Sequence, residues 1–373
     1  MIAPPPGRPK AAPADHGDGE ADEPPSPPSS GQRREFAEHR SAPPEPAGCA
    51  KPAVGQGRGG RSIVLAGDIG GTKTLLGLAE QGELVVDRRY ANADFQDFDG
   101  VLAAFLADTG TDPARIEGGC LAVAGPLADD GAAAQLTNLP WRIECAALAR
   151  RFGLPALRLA NDFAAAAMGA VTSSPAQRHL LQAGEPLATA PCLVVGAGTG
   201  LGMAIVLPEK GGWRIVAGEG GHAAFAPADD GQLALWRFLR QRHGRVTWER
   251  VVSGPGLSLI HESLCGTRVS PKEIAAGAAA DPAGDAARAL DMFLAAYGAF
   301  AGDMALACLA RGGVYIAGGI AATLLPQLAR SGFLAAFGAK AEHAAIAARM
   351  PISVCTDPLL GLRGALALAR QGH

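Results

Sequence analysis

Cysteine is scarce in this chain and never closely paired: seven residues are scattered over 373, with no Cys-x-x-Cys. That pattern argues against a disulfide scaffold or a zinc ribbon and reads as reduced, mostly buried thiols in the cytoplasm. An excess of charge of either sign is missing too. With 33 Lys and Arg against 36 Asp and Glu, the net charge is −3, so neither nucleic acid nor a membrane surface is an expected partner. No uninterrupted apolar run reaches the roughly 20 residues needed to cross a bilayer. The first sixty residues are poor in large apolar side chains. They hold 13 of the 28 prolines and a single phenylalanine, too little to offset the entropy of ordering them. Residues 1–61 are therefore expected to be a disordered tail, without the apolar core of a signal peptide.

What the chain does have is glycine at two turns. In Gly67-Asp68-Ile69-Gly70-Gly71-Thr72-Lys73 an apolar strand meets an acid and two glycines and leaves as a second apolar strand. Glycine lets backbone N–H groups approach a phosphate with no Cβ in the way. Thr72 adds a hydroxyl, and Asp68 is a candidate for holding hydrated Mg²⁺ through one carboxylate. A plain glycine hairpin with a solvated aspartate explains the same residues equally well. The second copy is Gly196-Ala197-Gly198-Thr199-Gly200-Leu201-Gly202. It is no dinucleotide fingerprint, because Leu201 occupies the third glycine position and a short β-branched strand follows where a helix is required. Two matching hairpins suggest an internal duplication with a nucleotide between the copies.

Between and after these hairpins, strands alternate with helices. Helices are expected at 98–108, 144–152, 163–168, 233–243, 256–265, 271–280, 283–311 and 359–371, and further strands at 119–124, 157–160, 314–317 and 351–356. The class is α/β. Ligands in such folds bind at the carboxyl ends of strands, where Asp68, Asp162, Gly196 and Gly318 fall.

Three polar points stand out. Asn161-Asp162 follows a strand and precedes a helix, so Asp162 is either the helix cap or a general base oriented beside an amide. Glu219-Gly220-Gly221-His222 offers an acceptor and a tunable imidazole on a glycine turn. Glu249, before Ser253-Gly254-Pro255-Gly256, reads on its own chemistry as a solvated helix carboxylate. Together these groups are of the kind that read a polyhydroxylated ligand.

In order and spacing, these motifs resemble those of bacterial ATP-dependent glucokinases of the hexokinase, actin and Hsp70 superfamily. The resemblance runs from Ile63 to the C-terminal helix and includes Thr137-Asn138, Asn161-Asp162-Phe163 and Gly312-Gly313-Val314-Tyr315-Ile316-Ala317-Gly318-Gly319. It implies a two-domain actin-like ATPase (ribonuclease H-like) fold with a cleft. It implies Asp162 as catalytic base, and Asn138, Asn161, Glu219, His222 and Glu249 on glucose. Asp68, Gly70, Gly71, Thr72, Lys73, Gly198, Thr199 and Gly200 would meet ATP and Mg²⁺, and Gly318 and Gly319 the adenosine. Lys73 departs from the Asn common in this group and is commoner in the related ROK sugar kinases. Those carry a cysteine-rich zinc motif where this chain has Ala223-Ala224-Phe225-Ala226-Pro227, which favours the zinc-free group. The expected division is a small domain of 62–171 plus 357–373 and a large domain of 172–356. The expected reaction is ATP plus D-glucose giving glucose 6-phosphate, in a cytoplasmic homodimer. The alternatives are another hexose, ADP or polyphosphate as donor, or a non-catalytic sugar sensor.

Overall fold

The apolar run after Ser62 becomes the centre of a sheet, because nearly every side chain in it finds cover on one face or the other. The computed structural model describes residues 63–155 and 157–371, so the expectation for 1–61 lies outside the described residues. Strands β1 (Ile63–Ile69), β2 (Lys73–Glu80) and β3 (Glu83–Ala91) form an antiparallel meander. Helix α1 (Phe98–Thr109) leads to β4 (Ile116–Val123), which pairs parallel with β1. A small hairpin of β5 (Ala133–Gln135) and β6 (Arg142–Glu144) precedes α2 (Cys145–Phe152). Then β7 (Leu157–Asn161) joins the sheet parallel to β4 and runs directly into α3 (Asp162–Thr172). The order is β3-β2-β1-β4-β7.

The second half repeats the pattern. An edge strand β8 (Arg178–Gln182) is followed by the meander β9 (Cys192–Ala197), β10 (Leu201–Glu209) and β11 (Gly212–Gly218). Helices α4 (Asp230–His243), α5 (Gly254–Cys265), α6 (Pro271–Ala280) and α7 (Asp285–Cys308) come next, then β12 (Gly313–Ala317), parallel to β9. Four short helices, α8 (Gly319–Thr323), α9 (Leu325–Leu328), α10 (Phe333–Gly338) and α11 (Ala344–Ala348), lead to β13 (Ile352–Cys355) and the closing α12 (Leu360–Gln371). This sheet runs β11-β10-β9-β12-β13-β8. Leaving β8 aside, it has the strand order and directions of the first, as the two glycine hairpins led us to expect.

Each sheet is covered on both faces. Leu65, Ile69 and Leu76 pack with Phe98, Leu102 and Phe105 of α1, while Ala66, Cys120 and Ala122 on the opposite face meet Leu362 and Ala365 of α12. Leu193 and Val195 of the six-stranded sheet pack with Phe293, Tyr297 and Phe300 of α7, and Val194 and Ala204 meet Ala167 and Ala170 of α3. Helix α7 is long and apolar enough to cross a membrane by length and composition, but here its aromatic residues are core. Of the six free cysteines described, Cys120, Cys192 and Cys355 are buried, Cys145 and Cys308 half-buried, and Cys265 exposed.

Helices α3 and α12 each follow the last parallel strand of one half, and they cross with their backbones in contact. A Cβ on Gly364 would overlap the carbonyl of Ala165, and one on Gly169 the carbonyl of Leu360. Only hydrogen fits at those two positions, so the glycines set how closely the two helices approach.

Candidate active site

The first glycine turn is held from outside by a residue that sequence reasoning missed. Asn92, only 2% exposed, donates from Nδ2 to the Gly70 carbonyl (2.8 Å) and from its own N–H to the Thr72 carbonyl (3.0 Å). Its Oδ1 accepts from Thr74 Oγ1 at 2.8 Å. The Gly70 N–H closes the turn on the Lys73 carbonyl (3.0 Å). Thr72 and Lys73 are left exposed. Asn138 lies against this turn: a Cβ on Gly71 would sit 3.2 Å from Asn138 Cβ.

Below the turn, Asp68 is half-buried, within electrostatic reach of Asp162. Burial first, and the Asp162 charge second, raise its pKa from 3.8 to about 6, against the pull of Lys73. Its carboxylate faces the first turn of α12, where a Cβ on Gly361 would stand 2.5 Å from Oδ2.

The cap of α3 is supplied by the residue before Asp162. Asn161 is the residue that caps α3, its Oδ1 accepting from the N–H groups of Phe163 (3.0 Å) and Ala164 (3.1 Å). Asp162 is the first helical residue, one position earlier than expected. Its Oδ1 accepts from the Phe163 N–H at 2.8 Å, which leaves Oδ2 to take a proton. Burial raises its pKa, partly offset by that N–H. Capping uses Oδ1, so the Asn161 amide nitrogen takes no part in it.

The second glycine turn is fastened differently. The Gly198 N–H closes on the Gly200 carbonyl (2.8 Å), and the Gly198 carbonyl accepts from the Gly254 N–H at the start of α5 (2.8 Å). Glu249 Oε2 accepts from the Leu201 N–H at 2.9 Å. Glu249 thus lies on a turn before α5 and is half-buried, which corrects its reading as a solvated helix carboxylate. Its N–H donates to the Gly221 carbonyl (2.9 Å), so it ties the Glu219–His222 turn to the hairpin. Gly221 sits so close to Leu201 that a Cβ would overlap the Leu201 carbonyl. Glu219 and His222 point outward and approach each other at 3.8 Å, with side-chain exposures of 88% and 59%. Thr199 is exposed on the turn, and Gly318 abuts its base, a Cβ there meeting the Ala197 carbonyl at 2.7 Å. At φ +90° Gly318 also holds a conformation that side chains disfavour, and Gly319 beside it is open.

Two glycine turns, one on each sheet, thus accompany the carboxylates of Asp68 and Asp162 and the polar residues Asn161, Glu219, His222 and Glu249. Fold and site together define an ATP-dependent hexose kinase of the actin-like ATPase fold.

The glucokinase family model matches residues 65–372. A curated glucokinase of Trichormus variabilis is 36% identical over 343 residues, covering 83% of this chain and 99% of that protein. The crystal structure of a glucokinase from an Antarctic psychrotroph superposes with a TM-score of 0.76 at 28% identity, over 83% of this chain and 99% of that one. A ROK family glucokinase from Streptomyces griseus, in complex with glucose and AMPPNP, shares the fold at a TM-score of 0.51 and 22% identity, over 84% of this chain and all of that one. The chain belongs to the glucokinase family.

Proposed function

We propose that this enzyme transfers the γ-phosphoryl group of ATP to the 6-hydroxyl of D-glucose, with Asp162 as the base. The observation that carries the proposal is the division of labour at the start of α3. Asn161 caps the helix, so the Asp162 carboxylate is spared for chemistry at the end of a strand. As the 6-oxygen attacks the γ-phosphorus, its proton passes to Asp162 Oδ2 and the bond to the leaving ADP oxygen breaks. Such a transfer asks the protein mainly for alignment and for neutralised charge. Alignment falls to the turns at Gly70–Thr72 and Gly198–Gly200 for the phosphates, and to Asn161, Glu219, His222 and Glu249 for the sugar, with Asn138 at the rim of the first turn. Gly318 and Gly319 leave room for the adenosine.

The carboxylate pair fits Mg²⁺. No group of three or more His, Cys, Asp or Glu among the described residues could hold a metal, as suits an ion that keeps its waters and leans on one carboxylate and the nucleotide. Asp68 is the residue that would hold it, and the ion would supply charge neutralisation at the phosphates.

Glucose and a non-hydrolysable ATP analogue bound to the Streptomyces griseus relative support this choice of substrates. We further propose the small domain as 62–171 plus 357–373, the large domain as 172–356, and a cytoplasmic homodimer. Initial rates over a panel of hexoses with ATP, ADP and polyphosphate test the reading. Glucose with ATP should give a kcat/KM at least about tenfold above every other pair; a higher value for another sugar or donor would replace it.

A further inference from the structure

Gly196 and Gly202 are directly paired across β9 and β10, at the foot of the second glycine turn. Neither has a positive φ, so backbone conformation does not explain them, and glycine inside a strand weakens it. What they admit is the ring of Phe163. A Cβ on Gly202 would overlap the ring's Cδ2 and lie 2.6 Å from Cε2, and one on Gly196 would lie 2.8 Å from Cε2. The ring lies on bare backbone of the six-stranded sheet and joins the apolar cluster of Val194, Ala204 and Ala317. At its other end, the same residue's N–H donates both to Asn161 Oδ1 (3.0 Å) and to Asp162 Oδ1 (2.8 Å).

We infer that Phe163 is a positioning residue that fixes the Asp162 carboxylate relative to the second glycine turn through its ring's seat on Gly196 and Gly202. The ring locates the backbone N–H, and the N–H orients both polar side chains. Since the turn at Gly198–Gly200 grows from the same two strands, the seat sets how far the proton acceptor stands from the phosphates. The inference rests on the reading of Asp162 as base and of this turn as a phosphate site.

The test is a double-mutant cycle, with the melting temperature of each protein measured alongside steady-state kinetics. Gly202→Ala, which pushes the ring off its seat, should lower kcat about 30-fold while leaving KM for glucose and for ATP within about threefold. Phe163→Ala should lower kcat by a similar factor. In the Phe163→Ala background, adding Gly202→Ala should cost less than about twofold, because the ring it displaces is gone. Additive losses, or losses carried by KM or wholly by a lower melting temperature, would overturn the inference. If Phe163→Ala fails to fold, the same cycle with Phe163→Leu keeps an apolar side chain in the seat and is judged by the same outcomes. Asp162→Asn, measured in parallel, separates the two readings. An active Asp162→Asn removes the base itself. An inactive Asp162→Asn with full activity in Phe163→Ala removes only the positioning role.

Discussion

The two halves share one strand plan and differ in what fills the same position. Asp68 and Gly196 each precede the last paired residue of a first strand, and Gly361 and Phe163 are each the second residue of a crossing helix. In the first half the strand supplies the bulk and the helix yields: Asp68 projects against Gly361. In the second half the helix supplies the bulk and the strand yields: Phe163 lies on Gly196. A duplicated scaffold thus offers two equivalent sockets, and opposite choices of large and small put a carboxylate in one and an apolar bearing in the other. The fastenings differ likewise. A buried amide, Asn92, holds the first turn, and a carboxylate, Glu249, the second.

The largest effect should come where the halves are least alike. Asp162→Asn keeps the shape of α3's first turn and removes the proton acceptor, so kcat should fall about 10²–10⁴-fold with KM for glucose little changed; a variant keeping a tenth of the rate would show that another group is the base. Next is the feature the halves share, the helix crossing. Gly364→Ala forces a methyl group into the Ala165 carbonyl and should destabilise the fold by about 3 kcal/mol, read as a lower denaturant midpoint.

Asp68→Asn should sharpen the contrast by separating stability from activity. A carboxyl whose pKa rises from 3.8 to about 6 on folding binds its proton more tightly in the folded state. Its stabilisation is full below pH 4 and lost as pH rises through 6. The amide carries no such loss, so Asp68→Asn should be the more stable protein at pH 8, by at most about 3 kcal/mol. The gap should close toward pH 4, while activity with Mg²⁺ and ATP collapses. Chemical denaturation at several pH values checks this, and a gap independent of pH would refute it.

Smaller is Gly361→Ala, which presses on Asp68 from the helix side. A loss of about tenfold in kcat/KM for ATP with the melting temperature nearly unchanged is expected, against no loss if the carboxylate simply turns away. The mildest is Glu249→Gln. The amide oxygen can still accept from Leu201, so only the charge is lost, and KM for glucose should rise several-fold while KM for ATP stays within a few-fold. A change confined to ATP would assign Glu249 to the second turn alone.

The sequence made the meanders and their turns legible because both are local: apolar strands around glycine, in two copies. Helix α7 came out as 285–308 rather than 283–311, its end set by Leu309 in the left-handed region at φ +49°. Strands β8 and β11 had no signal of their own. The first is an edge strand with Leu180 exposed, and the second is short, glycine-ended and largely exposed, with no alternation of polar and apolar residues. Of the site, Asp162 was legible as a residue but not as a role, since cap and base ask for the same side chain at the same place. The geometry of Asn161 shows that it, and not Asp162, is the N-cap. Asn92, Phe163 and Gly361 were invisible as site residues for one reason. Each matters through the piece of distant backbone brought against it, and no local pattern encodes that meeting.

The docking of α12 on the first sheet bears on the order in which the molecule can be built. Ala66, Cys120 and Ala122 are made early, yet the Leu362 and Ala365 that shield them are made only after the whole of the second sheet. Until then that face of the first sheet lacks its α12 cover. The emerging chain must therefore carry an unfinished layer through most of its synthesis, a surface for chaperones to hold and proteases to find. The docking of α12 both covers that layer and brings Gly361 against the Asp68 carboxylate.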